Sequence, residues 1–404
     1  MNAIISILLY TVTFTLSALF LKESVKTKKR GVNVYLILSV ALPVLLAAFR
    51  HNVGTDYENY VTMYERNSAL TFIQWFESSR NFDENRFGIW FISRVAGLFG
   101  SSTVFFGLIA LIIYLPVAMT IRKYFTKCVF LAAFTYLMTL FSTGLNISKQ
   151  VMAISVLIYG LQFAQKRKFF KYCLTVVCAV CFHITAVIGI GIYFIYSKNT
   201  SKIFNVQRVA LAVCFSLGIL FLPQILSLIG GRFADYIVYE GHSLNRSFFI
   251  DCGLFAMFVV LRKRYIRLNK INNLLIATML FGLILEYTGF YSPFIKRIAS
   301  YYMFPQFLLM AQLPLLFRGK DMAIVKFGVY LYTLFMFVLT YGILRQADIV
   351  PYTLDASLPT WVFYLLIGVF ALYIMLKAVV KFYNQTGKNK YGRGNINKSC
   401  GGKS

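Results

Sequence analysis

The sequence predicts an all-α integral membrane protein, and three observations carry that expectation. Of its 404 residues 59% are apolar and only 14% charged, with a mean hydropathy of +0.68, well outside the range of a soluble domain. Runs such as "AIISILLYTVTFTLSALFL" and "FGLIALIIYLPVAMTI" approach or reach the ~20 residues that cross ~30 Å of hydrocarbon at 1.5 Å per residue. Most of the 41 Lys and Arg stand in short blocks between those runs, so the net charge of +27 reads as topology rather than as a nucleic-acid footprint.

By the positive-inside rule the cytoplasmic blocks are 22–30, 122–127, 166–171, 198–208, 262–270, 318–326 and the tail from 377. The acids run the other way: of 14 Asp and Glu only Glu23 and Asp321 fall in those blocks. Helices near 2–21, 33–49, 100–121, 128–143, 147–164, 209–229, 247–261, 272–290, 298–316, 325–344 and 361–380 then make about 11 transmembrane crossings. The N-terminus is expected outside and the C-terminus inside. The first run lacks a basic leader and is expected to be retained, not cleaved.

One apolar segment is left over. Residues 172–196, "YCLTVVCAVCFHITAVIGIGIYFIY", would invert every later loop and export "RKRYIRLNK" if they crossed once. As two legs of about 12 residues, each only ~18 Å long, they form a membrane-embedded re-entrant hairpin with both ends inside and His183 at its apex. Irregular backbone at that depth needs a cavity or protein around it. A straight helix holding a satisfied His is the plainer alternative.

The chain reads as one polytopic membrane domain over 1–383, with a disordered basic cytoplasmic tail over 384–404. Its largest extramembrane element is the outer loop 50–86, followed by the amphipathic "FGIWFISRVAGLFG", which suits the interface. The seven Cys lie in apolar runs or the tail and make no disulfide framework. No HExxH, P-loop or paired acidic ligand set occurs, so neither a metal nor another cofactor is expected.

Costly polar groups collect where the runs end on the outer side. Arg50 closes the second helix and Asp56, Tyr57 and Tyr60 follow; Lys149 and Gln150 open the fifth. Arg232, Tyr236 and Tyr239 follow the sixth, Glu286 and Tyr287 close the eighth, and Lys296, Arg297, Tyr301 and Tyr302 open the ninth. For Arg50 or Lys296 alone, snorkelling to headgroups would serve. As a set, five cations on one rim suit a diphosphate: Arg forks match phosphate oxygens, and helix openings add backbone N–H groups. Tyr rings suit sugars, although an interfacial aromatic belt explains several of them equally well. Asp56 could take a proton or pair with Arg50. His183 could shuttle protons near neutrality, but a lone His in an apolar segment is more often structural. His51 and His242 read as loop residues.

Four segments carry a resemblance. "FRHNVGTDYENY" resembles the R-x-x-V-G-T-D-Y-x-x-Y signature of EpsG-type exopolysaccharide proteins, a branch of the Wzy-like repeat-unit polymerases. "NISKQVMA", "AVCFHITAVIGI" and "KRIASYY" are similar to that family's N-x-x-R-Q-x-x-A, A-x-x-F-H-x-(S/T)-A and R-I-x-x-Y, in the same order. Lys149 departs from the usual Arg, keeping the charge but losing the bidentate fork.

The resemblance implies a GT-C-like glycosyltransferase of the bacterial cytoplasmic (inner) membrane. It would transfer a growing glycan from undecaprenyl diphosphate to the non-reducing end of another lipid-linked repeat unit at the outer face. Arg50, Arg232, Arg297 and Lys149 would hold the leaving diphosphate; Tyr57, Tyr60, Gln150, Tyr236 and Tyr301 would bind substrate; the base would be Asp56 or His183. Undecaprenyl-diphosphate-linked oligosaccharide and membrane lipid would be its partners, with a flippase and a chain-length regulator nearby and no nucleic acid. A polyprenyl-phosphate-dependent single-sugar glycosyltransferase and a lipid-linked oligosaccharide transporter are the alternatives. The first usually shows a metal-binding acidic pair early in a large outer loop, and Asp83 with Glu84 stands outside that context. The second would show paired broken helices, where the sequence has one interrupted segment.

Overall fold

The computed structural model describes residues 1–26, 33–79, 86–196, 246–288 and 293–354, with 208, 210 and 218 as single positions, and its regular elements there are all helical. The chain begins with α1 (Ala3–Lys26) and α2 (Val34–Ala48). Asn33 opens α2 by accepting from Leu36 N–H at 3.0 Å while its amide donates to Ser24 O at 2.8 Å, which ties the start of one helix to the end of the other. Three short helices follow, α3 (Tyr57–Ala69), α4 (Phe72–Ser79) and α5 (Phe87–Gly97), and then the long α6 (Ser102–Tyr124).

Helix α7 (Val129–Gly144) contains a π-turn at Leu137–Phe141, where the Ser142 hydroxyl donates back to Leu137 O at 2.9 Å. Helix α8 (Ser148–Gln165) leads to α9 (Phe169–Val180). After it come a 3₁₀ turn over Ile184–Gly189 and the six-residue α10 (Ile190–Ile195). The second half holds α11 (Arg246–Val260), α12 (Arg262–Leu268), α13 (Asn272–Thr288), α14 (Pro293–Met303) and α15 (Pro305–Gln312). It ends with α16 (Gly319–Ile343), whose last turns from Val338 are again π-helical.

Packing runs α1 on α2, α2 on α6, α6 on α8 and α8 on α9, with α7 bridging α1 and α15, and α13 lying against α11, α14 and α15. Hydroxyls stitch the helices where no water competes. Ser17 donates to Ser39 O at 2.7 Å and to Tyr114 OH at 3.2 Å; Tyr136 donates to Ile113 O at 2.7 Å and meets Ser155 at 2.8 Å. The assembly turns large apolar side chains outward: Ile324, Phe327, Leu331 and Phe335 share one exposed face of α16, and Leu174, Val177 and Val187 are exposed on the α9 side. With lipid as solvent this is the expected arrangement, and the chain is a membrane protein.

Three described helices, α1, α6 and α16, are long and apolar enough to cross a bilayer, and several apolar helices of 10–17 residues accompany them. The expected crossings at 209–229 and 361–380 and the tail 384–404 lie outside the described residues, apart from single positions 210 and 218.

Residues 172–196 are broken where the hairpin reading puts the break. Helix α9 stops at Val180, His183 is extended (φ −150°, ψ 122°), and the chain returns. The two ends meet: Arg167 donates to Tyr193 O at 3.1 Å and Tyr196 O at 3.2 Å, and Tyr172 OH donates to Gly189 O at 2.6 Å. The turn of this hairpin touches α5. Gly88 N–H donates to Cys181 O at 2.8 Å, and the Phe182 ring lies 2.4 Å from where a Cβ on residue 88 would sit.

Candidate active site

The four sequence segments singled out above are linked in space, one to the next. Arg50 follows the last turn of α2 and is buried, its Nη1 donating to Leu145 O. Its guanidinium carbon lies 4.7 Å from the Phe106 ring centroid and 6.0 Å from that of Tyr57. Burial pulls its pKa down to about 10, opposed by nearby tyrosines, so at neutral pH it stays a cation. No ion pair joins it to Asp56, and its Nε has no hydrogen-bond partner.

Gly54 makes this approach feasible. At φ +96° it occupies the region that favours glycine, and a Cβ there would stand 2.9 Å from Leu145 O, the same carbonyl that holds Arg50. Asn146 then clamps the turn, its Oδ1 accepting from Thr55 Oγ1 at 3.0 Å and Asp56 N–H at 2.8 Å. The Asp56 carboxylate makes no capping bond to α3. A third strand of chain closes the turn: Gly54 and Thr55 N–H donate to Asp348 O and Ala347 O, and His51 N–H to Thr353 O, at 3.0–3.1 Å. Tyr352 in that strand donates to Leu46 O at 2.7 Å.

Lys149 N–H donates to Tyr60 OH at 3.1 Å, so one amide of the α8 opening is already taken; burial pushes the Tyr60 phenol up to about 12. Gln150 Nε2 reaches α14, donating to Arg297 O at 2.6 Å and Ser300 Oγ at 2.5 Å. One residue on, Tyr301 OH lies 3.1 Å from His183 Nδ1, and Thr185 Oγ1 completes the triangle at 2.6 Å from the imidazole and 3.2 Å from the phenol. The neighbouring Tyr302 donates to Ile188 O at 2.5 Å.

Thus Arg50, Asp56, Tyr57, Tyr60, Lys149, Gln150, His183, Arg297 and Tyr301 belong to one connected set. Tyr57, Tyr60 and Tyr301 are buried, Tyr57 stacking on Phe106 at 4.9 Å, while Arg297 is exposed and Lys149, Asp56 and His183 are half-buried. Arg232, Tyr236 and Tyr239, and the side chain of Lys296, lie outside the described residues. Glu286 is near Asp251 of α11, and Tyr287 is exposed. Sequence reasoning passed over Asn146, although it opens "NISKQVMA", and gave no role to Thr185, Ser300 or residues 345–353.

A family model described as EpsG family matches residues 33–354, most of the chain, and the protein belongs to that family. The match ends where the strand closing the Gly54 turn ends. Nothing among curated proteins or solved structures matches.

Proposed function

From that membership we propose that the protein polymerises glycan repeat units. It transfers a growing chain from a polyprenyl diphosphate, undecaprenyl diphosphate in bacteria, to the non-reducing sugar of a second lipid-linked unit at the outer face of the cytoplasmic membrane. About 11 crossings with the N-terminus outside, the hairpin embedded from the inner side with its turn against α5, and a GT-C-like arrangement complete the reading. Residues 1–383 form the membrane domain and 384–404 its cytoplasmic tail.

The observation that carries this reading is Arg50, a buried cation with no carboxylate paired to it among the described residues and an unspent Nε donor. A buried charge without a counter-charge is costly, and a ligand of opposite charge repays that cost. Arg297, exposed at the other end of the connected set, and Lys149 between them supply further positive charge for a diphosphate. The acceptor hydroxyl attacks the anomeric carbon, the bond to the phosphate oxygen breaks, and the lipid diphosphate leaves with the electron pair. The cations stabilise the charge that develops on it. The hydroxyl proton goes to Asp56, whose carboxylate is committed neither to Arg50 nor to a helix cap.

The test is the surface glycan of a strain lacking this chain, sized by mass. One repeat unit per lipid is expected. Polymer of normal length, a single sugar missing from each unit, or units trapped facing inward would each overturn the proposal, the last two in favour of a single-sugar transferase and a transporter.

A further inference from the structure

A cavity of about 390 Å³ lies between α7, α11, α14, α15 and α16, the size of a small-ligand pocket. It meets the connected set at Ser300, which accepts from Gln150 and follows Arg297 by one turn of α14, a rise of about 4.5 Å. Its wall mixes Met and Phe with hydroxyls. Thr135, Thr139 and Thr333 each donate their proton to the carbonyl four residues back, at 2.7, 2.6 and 2.8 Å, so what they offer a ligand is lone pairs. The π-turns of α7 and α16 both border this space, and the hydroxyls of Thr143 and Tyr341 meet across it at 2.8 Å. Such turns often sit at functional sites.

Asp251 stands in the same wall. Its Oδ1 accepts from Gln306 Nε2 at 2.8 Å, and its carboxyl is within hydrogen-bonding reach of Glu286. Ionised carboxylates only accept, so a bonded pair holds at least one proton. An ionisable pair among apolar helices is expensive and marks a functional place.

These features select the occupant. A wall richer in acceptors than donors wants a ligand bristling with O–H groups, the aromatic faces of Phe304, Phe307 and Tyr332 suit a flat ring, and the carboxyl pair repels an anion. A prenyl tail would leave the hydroxyls and the acid unmet. We propose that this cavity receives the sugar ring borne by the lipid diphosphate, that the ring is uncharged, and that Asp251 accepts its hydroxyls. This rests on the reading of Arg50 and Arg297 as the diphosphate holders.

The experiment uses the full chain in lipid nanodiscs and compares dissociation constants for three probes: undecaprenyl diphosphate, its N-acetylglucosamine conjugate and its glucuronic acid conjugate. The neutral conjugate is expected to bind at least tenfold more tightly than the bare lipid, and the acidic one no more tightly. Asp251→Asn, and Thr340→Trp, which puts an indole into the cavity that Thr340 lines from α16, should bring the neutral-to-bare ratio close to one. Asp251→Asn should also raise the affinity of the acidic conjugate relative to the bare lipid, a gain that misfolding cannot mimic. A wild-type ratio near one, or a ratio that neither variant changes, overturns the subsite while bare-lipid binding leaves the diphosphate reading standing. Failure to bind the bare lipid overturns that reading, and the subsite with it.

Discussion

Around Asn272, at the start of α13, two side-chain amides close on each other. Asn272 and Gln312 exchange hydrogen bonds at 2.8 and 2.9 Å, and each also donates to a main-chain carbonyl, Asn272 to Tyr265 O at 2.9 Å and Gln312 to Leu308 O at 3.1 Å. Around Arg50, at the end of α2, the side-chain bonding is to a single main-chain carbonyl and is incomplete. Leu145 O takes one donor, aromatic rings flank the plane, and Nε is left over. The Asn272–Gln312 pair, which holds helices together, satisfies itself, because an unmet group in a dry interior is costly. A cluster that must take a ligand keeps something in reserve.

Three substitutions can break or sharpen this contrast. The largest effect is expected from Arg50→Ala, which removes the buried cation: polymer formation in reconstituted membranes should fall by on the order of 10²–10³-fold, as when a donor to a developing anion is lost. A normal ladder from that variant would place Arg50 with the self-satisfied clusters. Gly54→Ala comes next. It strains a positive-φ turn by ~1–3 kcal/mol and pushes on the carbonyl that seats Arg50, so the rate should drop about ten- to a hundredfold while the protein still purifies as a folded species. Gln312→Leu should leave turnover per folded molecule unchanged. It orphans an Asn272 amide group at ~1–3 kcal/mol, read as a lower Tm, and pairing it with Asn272→Leu should recover part of that loss.

Much of this was legible in the residues. The apolar runs fix α2 within a residue of its expected limits, and the length and flanks of residues 172–196 anticipate the break at His183. Charge and glycine point to the Arg50 to Asp56 turn, because a cation at a helix end and a Gly that must adopt φ +96° both leave a mark in sequence. What escaped is what carries no such mark. The 345–353 strand contributes mainly backbone carbonyls, which any residue supplies. The closeness of Asp251 to Glu286 spans a helix connection that periodicity cannot fold. The tyrosines expected as sugar platforms are largely packed, since a phenol can serve a core as readily as a binding surface.

The junction between Gly88 and the hairpin turn has a mechanical consequence. A main-chain bond to Cys181 and a Phe182 ring seated on bare backbone leave no slack, so α5 and the turn must shift together. An incoming substrate that tilts α5 would therefore swing His183 relative to Tyr301, and even one methyl at residue 88 would act as a wedge in that lever.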